Sequence, residues 1–131
     1  MPNLEKVELE PKSINLNMPI KLNLNYKLPE GLSLNQKAPS KVTLKVNDEE
    51  IHSEKLQSEH TALLIPNEEL SKFQNMDSLE VKLLSTIFYC KKEESSTASG
   101  QCKIKSIEAI MPVKVTRAVS DNSLEVNFLV N

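Results

Sequence analysis

Cys90 and Cys102 bracket the polar stretch Lys91 to Gln101. An apolar strand candidate ends at Tyr89-Cys90, and a second begins at Cys102. The arrangement reads as a hairpin with a thiol at the foot of each arm, a geometry that can close a disulfide. A bond across a loop of this size would contribute roughly 3 kcal/mol by constraining the unfolded chain. The alternative chemistry is thiol-disulfide exchange, which needs an accessible sulfur and a thiolate. Lys91, Lys92 and Lys103 flank the pair and favour thiolate, Glu93 and Glu94 oppose it, and Tyr89 is placed to shield a sulfur. The stretch that starts with Lys91, Lys92, Glu93 and Glu94 continues into a Ser/Thr-rich tract without an apolar anchor, the composition of a hairpin tip or a contact loop.

Other chemistry is thinly represented. His52 and His60 are the only histidines, and their spacing, with no cysteine nearby, lacks the usual metal-ligand pattern. Glu49-Glu50 and Glu68-Glu69 lie in polar segments, where solvated surface is the ordinary role of paired carboxylates. Glycine occurs only at Gly31 and Gly100, so neither a phosphate-binding loop nor a nucleophile elbow is present. No catalytic residue, metal or cofactor is expected.

The elements that would position the thiols are strands. Ile14, Leu16, Met18, Ile20, Leu22, Leu24, Tyr26 and Leu28 take every second position, with Asn, Pro and Lys between them. Such alternation marks strands with one buried and one wet face. Its length, together with Pro19, predicts a bend or strand switch at Met18-Pro19, and Pro29-Glu30-Gly31 predicts a turn. Further strands are expected over Leu4 to Leu9, Val42 to Val46, Thr61 to Ile65, Leu79 to Cys90, Cys102 to Val115 and Leu124 to Val130. Asp48 to Ser58 is ambiguous, with an edge hairpin as one reading. Apolar residues occupy both parities late in the Leu79–Cys90 run, so either both faces are covered there or a bulge near Leu83-Leu84 shifts the phase. A bulge near Lys105-Ser106 would explain a similar change in the Cys102–Val115 run. Asn67 is expected to cap a short helical turn through Phe73.

The 131 residues fit one domain, 1–131. Short strands at this spacing predict an all-β, immunoglobulin-like antiparallel β-sandwich with one short helical turn. A net charge of −2 gives no basic footprint, and the absence of Trp leaves little for stacking on bases or sugars. No apolar run approaches ~18 residues, so no membrane insertion is expected. The stretch Met1-Pro2-Asn3-Leu4-Glu5 lacks the basic and apolar character of a signal peptide, and none is expected from it.

Several segments, taken in order, resemble a known family. They are Tyr26-Lys27-Leu28-Pro29-Glu30-Gly31-Leu32, Ala38-Pro39-Ser40, Leu64-Ile65-Pro66, Tyr89-Cys90 and Cys102. Together they resemble the C-terminal β-domain of proteins that join a thioredoxin-like domain to an NHL-repeat propeller, such as animal NHL-repeat-containing proteins and plant suppressor-of-quenching proteins. The resemblance runs from about Leu16 to the C-terminus. It implies a non-catalytic accessory or interaction domain that packs against or positions thioredoxin-like and NHL-propeller domains, in cis or in trans. The Cys hairpin is also similar in topology to the N-terminal domain of transmembrane thiol-disulfide reductases, which implies the alternative of an exchange domain using Cys90 and Cys102. No Cys-x-x-Cys occurs in this chain.

Overall fold

The computed structural model describes residues 4–91 and 102–131. Among these, strands dominate: β1 (Leu4–Glu8), β2 (Lys12–Ile14), β3 (Ile20–Lys27), β4 (Leu32–Leu34), β5 (Lys41–Val46), β6 (Glu49–Lys55), β7 (His60–Ile65), β8 (Ser78–Lys91), β9 (Cys102–Val115) and β10 (Ser123–Leu129). One 3-10 helix covers Asn67–Phe73. The larger sheet has the order β1-β9-β8-β5-β6, with β2 also on β9 and β4 also on β8; the smaller has the order β10-β3-β7. The result is an all-β, sandwich-like fold.

The strand switch is where the alternation places it. Lys12 to Ile14 pair with Val113 to Val115 in the larger sheet, and Ile20 resumes in the smaller one. Ile20, Leu22, Leu24 and Tyr26 then point into the core, while Lys21, Asn23, Asn25 and Lys27 face outward, as the two-residue period of a pleated strand requires. The crossover is pinned by Asn122, which is 4% exposed. Its Oδ1 accepts the Asn15 N–H at 3.0 Å. Its Nδ2 donates to the carbonyls of Asn15, Met18 and Pro19 at 2.6, 3.3 and 3.3 Å.

Three pairings are parallel: β1 and β2 on β9, and β10 on β3. The sheets are therefore mixed rather than purely antiparallel. β3 leaves the sheet of β2 and β10 leaves the sheet of β9, so neither folds back as an antiparallel hairpin on its predecessor.

Neither long strand carries a bulge in its mutual ladder. β8 and β9 stay in one antiparallel register from Ser78↔Lys114 to Cys90↔Cys102. Leu79, Val81, Leu83, Ser85, Ile87 and Tyr89 are all buried, in strict alternation. The apparent phase change arises because Phe88, Cys90, Cys102 and Ile104 form an apolar stripe on the outward face. Asp48 to Ser58 contains the edge strand β6, joined to β5 by a tight turn. Asn47 and Asp48 both take positive φ there, 50° and 70°, as a two-residue hairpin of this hand demands. Lys82 pairs with Asp48 at 2.9 Å across to β8 and holds its carboxyl below the usual range.

Three buried hydroxyls, those of Tyr26, Ser85 and Ser40, close gaps in the framework. Tyr26 stacks on Phe128 with ring centroids 4.6 Å apart, and its hydroxyl meets Ser85 Oγ at 2.8 Å; burial pushes the phenol upward from its ordinary value. Ser40, fully buried, accepts the Phe88 N–H at 2.9 Å where β8 passes between its partners β5 and β4. Ser40→Ala would leave that amide without a partner and is expected to cost about 1 to 2 kcal/mol in urea unfolding. An unchanged midpoint would show that water replaces the hydroxyl.

The helical turn differs in its start. Pro66 holds the N-cap position without a side-chain cap bond, and its carbonyl accepts the Glu69 N–H at 3.1 Å. Asn67 is thus the first helical residue: the tighter 3-10 winding closes one residue early, and the proline φ of −62° already suits entry. Leu70 and Phe73 bury the inner side of the turn.

Candidate functional site

The site is the end of the β8–β9 ladder at which the chain passes from β8 to β9. Cys90 and Cys102 are its last aligned pair, with Cα atoms 4.1 Å apart and the sulfurs bonded. Close approach of this kind belongs to the non-hydrogen-bonded positions of antiparallel ladders, where facing side chains come nearest. The disulfide lies on the outward face of the larger sheet. Cys90 is half-buried, with Ser33 of β4 on its other flank, and Cys102 is exposed. One step down the same face, half-buried Phe88 sits opposite Ile104, which is 52% exposed. An exposed cysteine thus adjoins a partly uncovered apolar stripe.

The neighbours along the chain belong to the other face. Tyr89 is 2% exposed and points into the core, paired with Lys103. It shields neither sulfur from the outer side. Lys91 and Lys103 share the parity of Tyr89, so the pleat directs them away from the disulfide's face. Lys92, Glu93 and Glu94 lie outside the described residues.

The remaining candidates stand apart. His52 Nε2 contacts Glu54 at 2.9 Å on the edge strand, and His60 Nδ1 contacts Asn25 Oδ1 at 2.8 Å on the outer face of the smaller sheet. Among the described residues no cluster of His, Cys, Asp or Glu could hold a metal ion. Glu49 pairs with Lys72 of the helix. At the Tyr26–Leu32 corner the Leu32 N–H returns to the Pro29 carbonyl at 3.1 Å, with Gly31 at φ 84°. Gly31 takes the left-handed position that turns of this shape reserve for glycine. Leu34 is buried there, and Leu28 and Leu32 pack against the core, so these leucines serve the corner of the sandwich.

Neither residue type nor spacing marks Asn122 or Ser40 as a buried polar anchor. Asp121-Asn122 carries a turn signature, but nothing local distinguishes an exposed turn amide from one buried against three carbonyls. Among the described residues no helix is long and apolar enough to cross a membrane. Compared with known protein families and with curated proteins, the chain matches no family model and no curated sequence.

Proposed function

We propose that this chain is an immunoglobulin-like, non-catalytic accessory domain that packs against or positions thioredoxin-like and NHL-propeller domains, in cis or in trans. The partner class rests on the family resemblance of the Tyr26–Leu32 corner and the Cys hairpin. The observation that carries an interaction role is the outward apolar stripe of Phe88 and Ile104 beside the disulfide, on the face directed away from the core. Exposed apolar groups gathered at one end of a sheet suit a protein contact better than solvent. The test is a binding measurement between the full chain and a recombinant thioredoxin-like/NHL-propeller protein. Ile104→Asp is expected to weaken association about tenfold or more with an unchanged melting temperature. Absence of any association by the wild-type chain would refute the reading.

A second reading is favoured by the exposure of Cys102. A dithiol protein's thiolate would attack Cys102 Sγ, forming a mixed disulfide and releasing Cys90 as thiolate. The partner's second thiol, as thiolate, would then break the mixed bond, leaving this chain reduced and the partner oxidised. A thioredoxin variant lacking its resolving cysteine should then capture Cys102 covalently. Recovery of only the intact intramolecular bond would dismiss exchange.

A further inference from the structure

We infer that the free edge of β10 is a strand-addition site, which takes one extended peptide segment of a partner protein as a fourth strand of the smaller sheet. The inference is independent of the disulfide face. It starts from where the backbone groups point. The Lys21 N–H donates to the Asn122 carbonyl at 3.0 Å, and the Val130 N–H donates to the Lys27 carbonyl at 2.9 Å. These two bonds frame the parallel ladder of Ser123↔Lys21 to Leu129↔Lys27. Within it, Leu124, Val126 and Phe128 direct both amide and carbonyl toward β3. Glu125, Asn127 and Leu129 direct both away from it. Among the described residues none of these outward groups has a protein partner, whereas the Ser123 N–H is held by Asp121 Oδ1 at 3.0 Å.

The edge strands β6 and β1 of the larger sheet are blunted, and the β7 edge is occupied at His60 but open at Ala62 and Leu64. β6 carries Glu49, Glu50, Glu54 and Lys55, and its register with β5 is broken between Leu44 and Lys45. β1 is short and carries Glu5, Lys6 and Glu8. On β7 the hydroxyl of Ser58 donates to the His60 carbonyl at 2.7 Å and accepts its N–H at 3.1 Å. β10 has neither proline nor lysine, no register break, and only Glu125 as a charge, with Leu129 64% exposed. Natural sheets ordinarily protect such an edge.

The architecture also selects the occupant. The Tyr26–Ser85 bond sets β3 over β8, the middle strand of each sheet. The short link from β6 to β7 and the Asn15–Asn122 bonds set β7 on the β6 side and β10 on the β1 side. The larger sheet therefore overhangs β10 by one strand, β1. Val7 and Leu9 on that overhang, and Leu124 on β10, are only partly buried. A single added strand would fill this margin, its inward residues covering Val7 and Leu9 and its outward residues lying beside Glu125 and Asn127. A second copy of the domain would bring its own overhanging β1 into collision with this one. The fitting ligand is an extended segment with alternate apolar residues and a basic residue opposite Glu125, bound mainly through its main chain.

The test uses the full chain and an acetylated, amidated heptapeptide with valine at odd positions, threonine at two even positions and a central lysine. Hydrogen exchange followed by NMR should show the Glu125, Asn127 and Leu129 amides slowed roughly tenfold or more at saturating peptide, with the β3-bonded amides of Leu124, Val126 and Phe128 little changed. Asn127→Pro removes an outward N–H that the β3 ladder does not use, and it should abolish peptide binding. Unchanged exchange at those three amides, protection confined to Ala62 and Leu64 of β7, or equal binding by a folded Asn127→Pro would overturn the inference. Self-association through β10 in sedimentation would overturn it as well. Should the proline variant fail to fold, the exchange pattern of the wild-type chain decides alone.

Discussion

Asn122→Asp is expected to lower the free energy of unfolding by about 3 kcal/mol, a large fraction of the stability of an ordinary domain. The native amide nitrogen donates to the carbonyls of Asn15, Met18 and Pro19 while its oxygen accepts the Asn15 N–H. A carboxylate would keep the accepted bond and set a second oxygen against three carbonyls in a site that is 4% exposed. The two groups differ little in size, so packing is nearly conserved and the measured loss reports the polar mismatch. The penalty should shrink at acidic pH, because a protonated carboxyl can again donate one bond. Urea unfolding at neutral and acidic pH checks both statements. A midpoint within error of wild type would show that the crossover is held by its strands and not by the amide. Asn122→Ala is expected to cost somewhat less, since it removes bonds without adding repulsion.

Removal of the disulfide is expected to have the second large effect. The double change Cys90→Ser with Cys102→Ser should lower stability by roughly 3 kcal/mol in the chain-entropy account. The bond closes the β8–β9 connection at its last aligned pair. Its loss leaves the long ladder below untouched, so the folded state should persist with similar strand content. Comparing urea midpoints of oxidised, reduced and double-serine protein separates the cross-link from the side-chain change. Equal midpoints for all of them would show that the unfolded chain is already constrained near this hairpin.

Much of this architecture is legible in the sequence, and for a definite reason. Leu22, Leu24 and Tyr26 alternate with Lys21, Asn23 and Asn25 because the smaller sheet has one wet face. The break at Met18-Pro19 is legible because proline cannot extend a ladder there. The thiol pair is legible because Cys90 and Cys102 sit where two apolar runs stop and start. The phase of β8 and β9 is harder to read. Phe88 and Ile104 are apolar residues on an outward face, and alternation cannot distinguish that from a bulge. Parallel pairing of β1 with β9 and of β10 with β3 is invisible to any local pattern, since it depends on which sheet each end of the chain joins. The same holds for Ser40 and Asn122, whose roles exist only once distant carbonyls and amides surround them.

The parallel pairing of the chain ends has a consequence for the order of assembly on the ribosome. β1 docks on Ser106 to Ile110, and β3 receives Ser123 to Leu129. β1 therefore waits for β9, and β3 waits for β10. Contacts between segments so far apart in the chain form slowly, because a long loop must close before any bond rewards it. Each sheet keeps an unfinished margin until β9 and β10 have emerged, and the emergence of β10 sets the moment at which the smaller sheet closes.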